Sequence, residues 1–199
     1  MNNHQFKELM LQSLQHERGG VLVYQTALEC VINADLKKEW AKYLEQTKNH
    51  VELLTRACRA SGIDPYEITP GCQIVQESGK ALVLAMKMAL AQAQPAAAEL
   101  VACDCVVLAE TKDHADWGLL GECAKALSGD AAAELTAAYQ QVEDEEDEHL
   151  YHSKGWCREL WLQALGLKAE LPPPEERKNV KTAIEAAQVA EKSTASRRR

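Results

Sequence analysis

At 199 residues the chain can bury one sizeable core without help from a disulfide or a structural metal. Its 22 Lys+Arg against 30 Asp+Glu leave a formal charge of −8, which argues against nucleic acid as the main partner, because phosphate contacts need a basic face, and makes cations the more natural guests. Alanine, leucine, glutamate, lysine and glutamine dominate, phenylalanine occurs once, and Gly and Pro gather at a few places, so the composition predicts an all-α chain.

Taken in chain order, the punctuation predicts a helix over about His4 to Asn33 and a second from Asp35, a good N-cap, to about Ser61, closed by Gly62. A connector with Pro65, Pro70 and Gly71 leads to an apolar helix over about Cys72 to Gln94. Pro95 suits the first turn of the next, about Pro95 to Leu127. Ser128-Gly129-Asp130 is a break with Asp130 as N-cap, and the last long helix runs from about Ala131 to Leu165, ending at Gly166. Residues 1–166 are therefore read as one helical domain. Residues 167–199, with Pro172 to Pro174, a charged alanine-rich stretch and a closing Arg197-Arg198-Arg199, read as a Pro-rich linker and tail, either solvated or docking as a helix.

The first ten residues hold no basic region leading into an apolar run, and no apolar stretch reaches the roughly 18–20 residues of a membrane span, so the reading is cytoplasmic with no membrane partner. Seven cysteines without a CxxC pair suggest neither a disulfide framework nor a zinc ribbon. Buried free thiols are the simpler account.

Three-and-four spacing then gives the stripe that each long helix should bury. The first carries Phe6, Met10, Ser13, Glu17, Gly20, Tyr24, Ala27 and Val31. The second carries Leu36, Trp40, Tyr43, Thr47, His50, Leu54 and Ala57. Leu100, Cys103, Val107, Glu110, His114, Trp117, Gly121 and Ala124 follow on the helix after Pro95, and Leu135, Tyr139, Val142, Glu146, His149, Ser153, Trp156 and Leu160 on the last. Each stripe is apolar or aromatic at both ends and polar in the middle. Packed antiparallel, the helices would bring Glu17, Glu110 and Glu146 to one level with His50, His114 and His149, where unpaired buried carboxylates cost several kcal/mol unless a cation, proton or partner compensates. Three carboxylates and three imidazoles suit one or two transition-metal ions. The acidic run Glu143, Asp144, Glu145, Asp147 and Glu148 reads as a solvated face or as an entry path for cations. The four tryptophans read as packing residues.

In these residues the chain resembles the ferritin-like superfamily of di-iron carboxylate proteins, bacterioferritins and rubrerythrins in particular. There the first and third core helices each give a Glu, the second and fourth each give a Glu-x-x-His, and in ferritins a Tyr follows the first Glu by seven residues, as Tyr24 follows Glu17. The family's ligand positions fall on Glu17, on Thr47 with His50, on Glu110, and on Glu146 with His149. Thr47 stands where the family has a carboxylate, and His114 is additional. The resemblance implies an antiparallel four-helix bundle with a long helical crossover between the second and third core helices. It also implies one or two iron ions, with manganese or zinc as alternatives, and a di-metal carboxylate oxidoreductase acting on Fe(II) with O2 or peroxide. The apolar helix of the connector makes a hollow storage shell less fitting than a monomer or homodimer. Two rival readings stand beside it: a ferritin-like scaffold that has lost its metal and serves as a structural or interaction protein, and a helical module binding a small organic ligand among Trp40, Tyr43, Trp117 and Tyr139.

Overall fold

The computed structural model describes residues 1–197; of the arginine cluster at the end, Arg198 and Arg199 lie outside the described residues. It is all-helical, with no strand among the described residues. In order come α1 (Asn3–Cys30), α2 (Ala34–Ala60), α3 (Pro70–Gln92), α4 (Pro95–Ala126), α5 (Gly129–Ala164), α6 (Pro174–Arg177) and α7 (Ala183–Arg197). No helix among the described residues is long and apolar enough to cross a membrane.

Local chemistry accounts for the helix ends. The Asn33 side chain, not Asp35, caps α2, accepting from the backbone N–H groups of Asp35 and Leu36. Asp35 sits instead in the first turn, where its charge suits the positive end of the helix. At the other end Gly62 takes φ +70, and the Gly62 and Ile63 N–H groups bond back to Arg59 and Cys58, satisfying carbonyls the helix would leave open. Thr69 caps α3 through the Cys72 N–H, so the helix begins at Pro70, two residues ahead of the expected start. Similarly, α5 is entered through Ser128, whose side chain makes no capping bond, and Asp130 lies in its first turn. The turn between α1 and α2 is held by the buried Glu99 of α4, whose Oε1 accepts from Ile32 N–H at 2.8 Å and Asn33 N–H at 2.6 Å.

The long helices α1, α2, α4 and α5 pack side by side in a ring, α1 against α2 and α4, and α5 against α2 and α4. Cross-contacts fix the directions. Along α2 and α5 the pairs are Lys42–Glu148, His50–Glu145 and Arg56–Glu134, so these two helices run opposite ways. Ile32–Glu99 and Glu17–Trp117 show the same for α1 and α4, and Trp161–Asp104 with His114–Asp147 for α4 and α5. The α3 helix packs on α1 and α4 from outside. It carries the chain from the end where Thr69 bonds Glu8 to the end where Met86 meets Cys30.

The interior is layered. One apolar cluster includes Val31, Leu36, Trp40, Cys103, Val106, Trp156 and Leu160. The other includes Phe6, Met10, Leu54, Trp117, Leu120, Leu135 and Val142. Between them lies the polar level. Trp40, Trp117 and Trp156 are buried, whereas Trp161 is 40% exposed and donates its indole N–H to Asp104.

The segment after Gly166 returns along α5. Arg158 holds Glu175 with paired bonds of 2.6 and 2.8 Å, Trp156 donates to Glu176, and Val180 and Val189 close over Leu150 and Tyr151. Gly155 makes this approach feasible, since a Cβ there would stand 2.7 Å from Glu175 Oε2.

Candidate metal centre

Five of the six singled-out residues meet in the polar layer. Glu17 from α1, His50 from α2, Glu110 from α4, and Glu146 and His149 from α5 are all at most 3% exposed. They form two groups, Glu17–His50–Glu146 and Glu110–Glu146–His149, in each of which the three candidate ligand atoms lie within 4.8 Å of one another. Glu146 belongs to both. His50 Nδ1 stands 3.4 Å from Glu17 and 3.2 Å from Glu146; His149 Nδ1 stands 3.5 Å from Glu110 and 3.6 Å from Glu146.

None of these approaches is aligned as a hydrogen bond. Both Nδ1 atoms, both Glu146 oxygens and one oxygen each of Glu17 and Glu110 are buried without a hydrogen-bond partner among the described residues. Interiors rarely leave so many polar atoms unpaired in one place. Donors about 2.0–2.2 Å from a shared ion, at right or tetrahedral angles, stand roughly 2.8–3.6 Å apart, and the imidazole–carboxylate distances of 3.2 to 3.6 Å fall in that range.

The outer ring nitrogens are fixed. His50 Nε2 bonds Glu145 Oε2 at 2.8 Å, and His149 Nε2 bonds Gln46 Oε1 at 3.0 Å. Each imidazole of one helix is thus held by a side chain of the other, and this sets ring orientation while aiming Nδ1 inward, the usual support for a metal-ligating histidine. Glu17 is braced by Trp117, whose indole N–H donates to its Oε1 at 2.6 Å. The residues present fit a metal ion and are able to hold one.

The charges are in tension. Burial alone would pull the His50 imidazole down, yet Glu17, Glu145 and Glu146 hold it well above the ordinary histidine value. Burial, reinforced by Glu110, pushes Glu146 up to about 7 against the pull of His50 and His149. For Glu110 burial works upward too, but His149 outweighs it and keeps this carboxyl below its usual value. Asp113, buried one turn from Glu110 with Oδ1 unpartnered, is driven well up by burial and by Glu17, Glu146 and Glu110. Four acids thus crowd two imidazoles, and either protons or a cation can balance their charge.

Other residues lie nearby but apart. Thr47 is buried, and its hydroxyl donates to the Tyr43 carbonyl at 2.9 Å, so it turns back on its own helix. His114 lies outside both groups; its side chain is 35% exposed and its Nε2 pairs with Asp147 at 2.9 Å. The Tyr24 hydroxyl is buried beside Glu110, and burial and that carboxylate raise it well above its ordinary value. The Tyr43 ring stacks obliquely on His149 with centroids 4.2 Å apart. Asp113, Gln46 and Glu145 were not singled out as site residues by the sequence stripes. For Gln46 and Glu145 a signal existed, because each stands four residues before a histidine of the site. The acidic run is equally engaged: Glu145 with His50, Asp147 with His114, Glu143 with Tyr139, Glu148 with Lys42, and Asp144 with Lys181.

Compared with protein-family models, with curated proteins and with solved structures, the chain matches none of them.

Proposed function

We propose that the chain is a ferritin-like antiparallel four-helix-bundle protein, with α3 as its long crossover, holding two iron ions, or manganese in their place, in the polar layer. Glu17 and His50 would hold one ion, Glu110 and His149 the other, and Glu146 would lie between them. Bound iron would supply one-electron chemistry, and the reaction is oxidation of Fe(II) by O2 or peroxide. The chain's own residues do the rest. The carboxylates offset cationic charge, Gln46 and Glu145 orient the imidazoles, and the apolar clusters above and below exclude water.

The observation that carries this reading is the shared, unpartnered Glu146 with an inward-facing imidazole on either side. Anaerobic titration of metal-free protein with Fe(II), followed by exposure to air, tests it. Binding should saturate at two equivalents, one for each group, and O2 should then be consumed in proportion to the iron bound. A titration with no saturable binding would leave the metal-free scaffold reading, which the hydroxyl of Thr47 at a usual carboxylate position favours.

A further inference from the structure

A pocket of about 170 Å³ lies between α4 and α5, and Glu146 is among the residues that line it. By contrast, the larger apolar cavity of about 380 Å³ between α1, α3 and α4 contains none of the five converging side chains. Glu143 and Asp147, one turn apart on α5, rim the smaller pocket, and each is held from the side: the Tyr139 hydroxyl donates to Glu143 at 2.9 Å, and His114 pairs with Asp147 at 2.9 Å. On the α4 side the pocket is lined by His114, Trp117 and Gly118, and a Cβ at Gly118 would meet nothing within 4 Å. Glu146, which lines the same pocket, is 2% exposed, and neither of its carboxylate oxygens has a hydrogen-bond partner among the described residues.

An acidic rim is common on a solvated helix and by itself means little. Here it shares a pocket with Glu146, a buried carboxylate without a hydrogen-bond partner among the described residues that belongs to both candidate ligand groups. We propose that this pocket is a transit site for hydrated divalent cations, in which Glu143 and Asp147 draw the ion from solvent and pass it to Glu146, from where it reaches either side of the centre. The inference rests on the metal-binding reading of that centre and adds its entrance. It gives His114 a place as the partner that holds Asp147 at the rim. The rim acids and His114 do not form a further group close enough to hold an ion, so this is a passage and not a third binding site.

Stopped-flow mixing of metal-free protein with Co(II), followed by its visible absorption, tests the passage. Acids at an entrance act on encounter rate, and their effect is screened by salt. The Glu143→Gln/Asp147→Asn double variant should bind Co(II) about tenfold more slowly at low ionic strength, with the difference shrinking at high salt. Gly118→Phe, which fills the opening where a side chain meets no neighbour, should slow association and dissociation by equal factors and leave the equilibrium constant unchanged. Glu77→Gln, which removes an exposed acid on α3, should change neither rate. Co(II) binding at wild-type rates in the double and Gly118→Phe variants overturns the passage and leaves the centre intact. No Co(II) binding in the unmodified protein overturns both.

Discussion

Loss of Glu146 should differ in kind from loss of either histidine, because Glu146 belongs to both ligand groups and each histidine to one. Glu146→Gln keeps the shape and removes the charge, so protein purified without chelators should retain neither ion. His50→Ala should lose the ion beside Glu17 and keep the one beside Glu110, and His149→Ala the reverse. Elemental analysis of the three variants checks this, and equal metal content in all three and the unmodified chain would sink it. At this scale the sequence was legible wherever a polar residue interrupted an apolar stripe, as Glu17, His50, Glu110, Glu146 and His149 do. On α4 it failed at one step, where a spacing of four selects His114 and the structure buries Asp113, while Trp117, Gly121 and Ala124 of the same stripe are buried as expected. Three neighbours, α1, α3 and α5, surround α4, so apolar residues occur most of the way around it and the stripe has no sharp edge.

Helix ends were read from proline, glycine and candidate capping residues, and these placed every long element to within a few residues. Pro70 and Pro95 begin helices, and Gly62 and Gly166 follow their ends with positive φ. The caps themselves were harder. Asn33 and Asp35 are both good capping residues, and which of them caps depends on where Glu99 of α4 ties the preceding turn. For the last segment the sequence left a solvated tail and a docking helix both open, since the choice depends on a long-range match of Arg158 to Glu175 across Gly155. This match supports a prediction for Gly155→Ala. The new methyl meets Glu175 and Pro173 at 2.7 and 3.1 Å, and such overpacking costs about 1–3 kcal/mol. The variant should keep the long helices and expose residues 167–182 to protease. Unchanged cleavage there would show that the contact yields at no cost.

Across the whole molecule, stability and metal occupancy should be linked. The two apolar clusters stabilise the fold, and the polar layer between them opposes it, because buried acids crowd one another there. An ion that binds only the folded chain adds about 2.7 kcal/mol at one hundred times its dissociation constant. For a chain of this size that corresponds to a rise of roughly 5–10 °C in melting temperature. Differential scanning calorimetry with Mn(II) or Co(II) in place of oxidisable iron measures it, and an unchanged transition would count against a preformed site. Mg(II), which prefers oxygen ligands and holds its water tightly, should do much less.

The reciprocal bonds His50–Glu145 and His149–Gln46 have a mechanical consequence. Because each ring on one rod is gripped by a side chain on the other, α2 and α5 cannot slide past each other along their length without turning both imidazoles. Any shear between these two rods would be converted directly into a rotation at the heart of the molecule.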